Sequence, residues 1–137
     1  MAPSELLAFG RDALGRQPFS VLLGARLDAF EQGVVELSVP VSQQLLQQDG
    51  FVHGGVLSYL ADNALTFAGG SVLGQVLTAE FKVNYLRPAT DAQRLVALAH
   101  VVGSGRRPGS CRCDVFMERD GERKLCAAAQ GTIRKAG

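Results

Sequence analysis

The spacing of hydrophobic and polar positions along this chain changes period several times, and each change marks an element. Leu6, Leu7, Phe9, Ala13 and Leu14 fall roughly on one helical face, with Pro3-Ser4 at the start and Gly15 at the end. Residues 1–16 therefore read as an N-terminal helical segment. Two apolar β-type runs follow, Phe19 to Phe30 and Val34 to Val41, separated by Glu31-Gln32-Gly33. In the second, Val35, Leu37 and Val39 alternate with Glu36 and Ser38, the mark of a strand with one buried face, so the two runs read as a hairpin. Gln43 to Gly50 is polar and closes on Asp49-Gly50, a loop signal. Val56 to Ala68, rich in Leu and Ala, is the strongest helical stretch, and Gly69-Gly70 is a natural stop; the pattern predicts a central helix over 55–69. Beyond it everything is strand-like: Gln75–Arg87, Leu95–Val102, Cys111–Met117 and Leu125–Ile133, with turns at Arg87-Pro88, Gly103–Gly109 and Asp120-Gly121. A helix apolar on nearly every side must be covered almost completely. The simplest cover is an antiparallel sheet curled around it, which makes residues 1–137 one α+β domain.

The predicted central helix carries one narrow polar stripe. Ser58, Asp62 and Thr66 are spaced i, i+4, i+8 and share a face. A carboxylate among so many apolar residues is either at the surface or held there for a purpose, because burying an unpaired charge is costly. The pattern alone leaves both readings open. The helix opens with His53-Gly54-Gly55. Two glycines let a ligand approach the backbone, the first-turn N–H groups have no intrahelical acceptor, and a helix start carries partial positive charge. Such a place suits a carbonyl oxygen that is gaining negative charge. A tight loop-to-helix turn would use the same glycines for geometry only. Asp62 lies seven residues beyond Gly55, about 10 Å along the axis at ~1.5 Å per residue. If both act on one carbonyl, two antiparallel copies are needed, Gly55 of one facing Asp62 of the other.

Composition narrows the partners. Fourteen basic and thirteen acidic residues leave a net charge of +1, so nothing electrostatic calls for nucleic acid or an anionic membrane. Glu5, Arg11 and Asp12 break every early apolar run, so no signal peptide is expected, and the stretch from Val52 to Leu77 is too interrupted to span a membrane. Cys111, Cys113 and Cys126 are odd in number and do not match a zinc spacing with the two distant histidines. They read as packing residues of a protein in a reducing compartment, the cytoplasm. Gly103–Gly109 lacks the Gly-Lys-Ser/Thr of a phosphate loop and reads as a hairpin tip. His100, within an apolar run, reads as a core or interface histidine.

The segment Val52-His53-Gly54-Gly55-Val56-Leu57-Ser58-Tyr59-Leu60-Ala61-Asp62-Asn63-Ala64, with Asn84-Tyr85-Leu86-Arg87-Pro88-Ala89 after it, resembles hotdog-fold acyl-CoA thioesterases of the phenylacetate-pathway type. The likeness runs from about Phe19 to Ile133. It implies the hotdog fold, a homodimer or dimer of dimers with the site at the subunit interface, and hydrolysis of an aryl- or medium-chain acyl-CoA without cofactor or metal. Carried over by position, it makes Asp62 the general base or nucleophile, Gly55 the donor to the thioester oxygen, and His53 a support for that turn and for the thioester. Gln47 falls where the family carries Asn or Gln to hold the carbonyl or water; Thr66 and Thr78 fall at alternative positions for a hydroxyl near the lytic water. Arg87, Arg106 and Arg107 are candidates for the phosphates of coenzyme A, since guanidinium groups suit phosphate.

Two other functions fit the same pattern. A hotdog dehydratase or hydratase pairs its acid with a catalytic histidine, which the helix around Asp62 does not offer. A non-catalytic acyl-CoA-binding module is favoured by an attached DNA-binding segment, for which the 18 residues before Phe19 are too few, and has no use for Asp62.

Overall fold

The computed structural model describes residues 1–137. Two helices, α1 (Pro3–Gly15) and α2 (Pro18–Leu23), precede the hairpin β1 (Arg26–Glu31) and β2 (Val34–Pro40). A short 3₁₀ turn, Gln43–Leu45, leads to the long helix α3 (Gly54–Leu73). Four strands follow, β3 (Val76–Tyr85), β4 (Arg94–Ser104), β5 (Pro108–Arg119) and β6 (Glu122–Lys135); β4, β5 and β6 run as a meander, and β3 joins it at the far side by pairing with β6. All six strands form one antiparallel sheet in the order β1-β2-β4-β5-β6-β3. The sheet wraps α3, and this is the hotdog fold.

The wrap works because both surfaces are cut small where they meet. Ala61, Ala64 and Ala68 of α3, Ala97 and Ala99 of β4, Cys111 and Cys113 of β5, and Ala127 and Ala129 of β6 are all buried in one core. Small side chains let the helix axis approach the sheet, and Leu60 and Leu65, both fully buried, fill what remains; each such leucine contributes ~1.5–3 kcal/mol relative to exposure. Gly69 marks the tightest point: a Cβ there would stand 2.8 Å from the Cβ of Ile133 on β6.

Three sequence expectations are corrected. The central helix runs from 54 to 73, past the expected 55–69, because Gly69 and Gly70 serve close packing inside the helix and do not end it; its C-cap is Gly74. The strand expected to begin at Phe19 begins at Arg26; Pro18 at a first helical position and Gly24 in the left-handed conformation (φ 72°) bound a helical turn instead. His100, expected in the core or at an interface, is exposed on β4, which rules out the core.

The two sheet edges are treated differently. α1 packs on β1, where Gly10 touches Leu27 and Phe30 and Arg11 Nε donates to Leu27 O at 3.0 Å. β3 pairs with β6 alone, and Leu77 and Tyr85 on it are more than half exposed. Its register shifts between Thr78 and Glu80, where Gly131 of β6 leaves room for the bulge: a Cβ on Gly131 would lie 2.6 Å from Glu80 O. Near the far end of the sheet an ion-pair ladder crosses the strands: Glu118 accepts from Arg94 Nε at 2.5 Å and from Arg123 Nε at 2.6 Å, Arg94 also reaches Asp28, and Arg123 reaches Glu36.

Two outcomes follow. Gly69→Ala gains helix propensity but drives a methyl into a branched, fully buried strand residue, so chemical denaturation is expected to show a net loss of about 1–2 kcal/mol. The hydrogen bonds from Arg94 and Arg123 hold the Glu118 carboxyl down to about 2 from an ordinary 4.5. A depressed carboxylate stabilises the fold above its unfolded value, and that contribution is lost as pH falls from about 4.5 towards 2. Glu118→Gln is expected to flatten this part of the stability–pH curve, measured by thermal melts across that window.

Candidate active site

The helix start is held by the segment that precedes it, which bonds to itself at Leu45 and to Ala89 beyond β3. His53 is the N-cap residue: its N–H donates to Leu45 O at 2.8 Å, its carbonyl accepts from Val56 N at 2.9 Å, and its Nδ1 accepts from the Gly55 N–H at 3.0 Å. A capping side chain characteristically takes the N–H at the second or third helical position, which leaves the first. The Gly54 N–H makes no hydrogen bond. The open backbone donor at this helix start is therefore Gly54, and Gly55, the residue singled out from the sequence, is engaged by its own cap. The sequence marked both glycines and the family likeness singled out Gly55; the capping rule applied to His53 distinguishes them and leaves Gly54 as the unengaged N–H. Gln47, Gly54, Leu57, Tyr85 and Arg87 line one cavity of about 320 Å³ here, and the Tyr85 hydroxyl donates weakly towards Gly54 O (3.4 Å) and Ser58 Oγ (3.3 Å).

The polar stripe lies half-buried against the inner side of the edge strand, so it is not a solvent face. Ser58 meets Tyr85 of β3, and one turn later Asp62 and Thr66 meet Thr78 of the same strand. Thr78 Oγ1 donates to Asp62 Oδ1 at 2.7 Å, Thr66 Oγ1 lies 2.8 Å from Asp62 O, and the two threonine oxygens are 3.0 Å apart. With its single proton on Asp62, Thr78 is an acceptor towards Thr66, whose own single proton is shared between Thr78 and the Asp62 carbonyl. The bond orients the carboxylate and leaves Oδ2 without a protein partner. A second cavity, of about 440 Å³, opens beside it, lined by Arg16, Gln17, Phe19, Ser20, Tyr59, Asp62, Asn63 and Thr66 among others. Its wall is a polar network. Tyr59 Oη donates to the buried Ser20 Oγ (2.5 Å), Ser20 donates to Gln17 Oε1 (2.6 Å), and Asn63 Nδ2 donates to Gln17 Oε1 (3.0 Å) and Tyr59 Oη (3.1 Å). Phe19 stacks edge-on against Tyr59, ring centroids 5.2 Å apart.

Within one chain, then, Gln47, His53, Gly54, Gly55 and Arg87 gather at the helix start. Asp62, Thr66 and Thr78 gather two turns along. Neither cavity is lined by both Gly54 and Asp62. Arg106 and Arg107 are not brought to either group: they sit at the β4–β5 turn, where Arg107 O accepts from Lys135 N opposite Val76, at the other end of a 20-residue helix, about 30 Å away at ~1.5 Å per residue.

The thioesterase superfamily profile matches residues 49–124, more than half of the chain, and the match takes in the helix start, the stripe and the edge strand. The chain belongs to the thioesterase superfamily. A putative esterase of Archaeoglobus fulgidus is 30% identical over 112 residues, which cover 82% of this chain and 71% of that protein. The acyl-coenzyme A thioesterase PaaI of Escherichia coli is 25% identical over 84% of this chain and 80% of its own. Among solved structures, a thioesterase family protein from Silicibacter pomeroyi superposes with a TM-score of 0.87 at 37% identity, covering 97% of both chains. The E. coli PaaI structure shares the fold, with a TM-score of 0.88 at 23% identity over 99% and 97% of the two chains.

As a member of this superfamily the protein is a thioester hydrolase, and its thiols are poor nucleophiles. Burial pushes Cys113 up to about 12 and Cys126 to about 11, and raises Cys111 as well. No group of three His, Cys, Asp or Glu side chains is placed to hold a metal ion, and no helix is long and apolar enough to cross a membrane. All three cysteines are free and buried, so a disulfide-exchange reagent is expected to label none of them in the native protein and all three after denaturation. Rapid labelling of one native thiol would show that the core around it opens.

Proposed function

We propose that the protein hydrolyses an aryl- or medium-chain acyl-CoA thioester to the free acid and CoA, in a site shared by two copies of the chain. The observation that carries this reading is the pair of half-sites on one helix, an open backbone N–H at its start and an oriented carboxylate two turns on. The family and the acyl-CoA thioesterase PaaI among the relatives support the substrate class. The Gly54 N–H, with Gly55 joining it when His53 turns away, donates to the thioester oxygen as it gains charge. By one route Asp62 Oδ2 attacks the carbonyl carbon, expelling CoA as its thiolate and leaving a mixed anhydride that water then hydrolyses to the free acid. By the other it takes a proton from the attacking water and passes it to the CoA sulfur as the tetrahedral intermediate collapses. Thr78 holds Asp62 at its angle, and Thr66, its proton already used within the cluster, offers a lone pair to the water. Gln47, in the cavity of Gly54, steadies the carbonyl, and Arg87 at its mouth meets the CoA arm.

The shared site follows from the unpaired β3. An open edge of ten residues invites pairing with a second copy, whereas the β1 edge is covered. Antiparallel β3–β3 pairing about a two-fold axis lays two α3 helices side by side in opposite directions, and the start of one then faces the stripe of the other.

Thiol release from benzoyl-, phenylacetyl- and hexanoyl-CoA measures this directly. Asp62→Asn is expected to lower kcat by about 10²–10⁴-fold while the fold is kept. Gly54→Pro removes the open N–H at a position where proline suits a helix, and is expected to lower kcat by ~10²–10³-fold. The two inactive variants, unfolded together and refolded as mixed dimers, are expected to recover a substantial fraction of activity, since one site per mixed dimer is intact. No recovery in verified mixed dimers would place the whole site within one chain.

A further inference from the structure

A third cavity, of about 370 Å³, lies at the covered edge of the sheet and shares no residue with the two cavities of the candidate site. Arg11, Leu14, Val21, Arg26, Leu27 and Asp28 form most of its wall. Arg11 spends one N–H on the strand, donating from Nε to Leu27 O at 3.0 Å. That bond fixes the guanidinium and leaves both Nη groups without a protein partner. Arg26 is in no ion pair. The acid on the rim is engaged elsewhere: Asp28 Oδ2 accepts from Ser38 Oγ and lies 3.5 Å from Arg94 Nη1. Two unpaired guanidinium groups and three apolar side chains thus wall one space, and Val21 among them is 60% exposed.

We infer that this cavity is a regulatory site for a small organic monocarboxylate, and that its occupancy is felt at Asp62 through α2. The effect on hydrolysis rests on the thioesterase reading above; the binding does not. Guanidinium groups suit a carboxylate, and the apolar walls cover an aryl or short alkyl body. Inorganic phosphate brings no such body, and a second carboxylate on the ligand meets Asp28 on the rim. No aromatic side chain lines the space to stack a nucleotide base. The acid that hydrolysis releases has the required form, one carboxylate on an apolar group.

α2 is the wall common to both sites. Val21 lines the carboxylate cavity, while Phe19 and Ser20 of the same six-residue helix line that of Asp62. Two residues apart on a helix, Phe19 and Val21 lie on nearly opposite faces. A hydrogen-bonded path joins the two spaces. Ala25 N, in the wall of the carboxylate cavity, donates to Ser20 O at 2.9 Å, and Ser20 Oγ accepts from Tyr59 Oη on the helix that carries Asp62. A body seated against Val21 therefore presses α2 towards the cavity of Asp62 and narrows it, which inhibits hydrolysis.

Hexanoate and benzoate, titrated into isotope-labelled protein and followed by NMR, are expected to bind with a Kd of about 1 mM or below and to shift the amides around Val21 and Arg26. Acetate, which lacks the body, and inorganic phosphate are expected to bind at least ~10-fold more weakly. Arg26→Ala removes one guanidinium, and Val21→Trp fills the space from an exposed position; each is expected to weaken hexanoate by ~10- to 100-fold. With benzoyl-CoA as substrate, saturating hexanoate is expected to lower kcat by ~5-fold or more, an inhibition that excess thioester does not relieve and that both variants lose. Absence of binding overturns the site, and equal binding of acetate or phosphate overturns the ligand class. Inhibition that excess thioester relieves, with binding that survives in both folded variants, places the acid in the catalytic site and overturns the assignment. Binding at Val21 that leaves hydrolysis unchanged overturns the link through α2. No hydrolysis of any thioester overturns the proposed function, while the titration still decides the site.

Discussion

The need to bury α3 on almost every side governs this molecule. Its twenty residues hold alanines and leucines over most of the circumference, and only a curled sheet can cover such a helix. The close approach has chemical demands of its own: alanine and cysteine on the sheet's inner face, alanine on the helix, and no side chain at all at Gly69 against Ile133. The three cysteines belong to this packing. Their burial places them among the small core residues and withholds the thiolate that chemistry would need.

The wrap is incomplete along one line, and the polar chemistry collects there. β3 is the last strand and has no neighbour beyond it, so the face of α3 at this edge is covered from one side only. Ser58, Asp62 and Thr66 lie on that line and are met from above by Tyr85 and Thr78. The carboxylate is therefore half-sheltered, oriented by a hydroxyl and still reachable. The backbone donors at the helix start follow from the same element by a different route: capping by His53 uses one N–H and leaves its neighbour open.

Much of this was legible in the sequence. The apolar character of Val56 to Ala68 and the alternation in later segments were enough for a sheet around one helix, and His-Gly-Gly with Asp62 marked the chemistry. What was not legible depended on contacts between distant segments. Gly69-Gly70 looked like a stop because glycine in a helix is usually a stop; only the nearness of Ile133 explains why the helix continues. Phe19 to Leu23 looked like a strand because its apolar residues carry no period long enough to decide, and Pro18 and Gly24 outweighed them. The part played by Arg16–Ser20 in the wall beside Asp62 left no local signal, since Gln17 and Asn63 meet only in three dimensions. Arg106 and Arg107 were plausible by type alone, and within one chain the topology sends their turn to the end of the helix away from Gly54.

The bulge in β3 sets how one strand serves two purposes. Thr78 and Val76 are sheltered on one beat of the strand's alternation, and Phe81 and Val83 on the opposite beat, with Ala79 and Glu80 both turned outward between them. A regular strand would have to choose, presenting either the hydroxyl to Asp62 or the two apolar side chains to the core. The extra residue, seated over Gly131, resets the phase midway. It also keys the edge: β3 cannot slide by one residue against β6, so the hydroxyl that aims the carboxylate keeps its place because of a single irregularity.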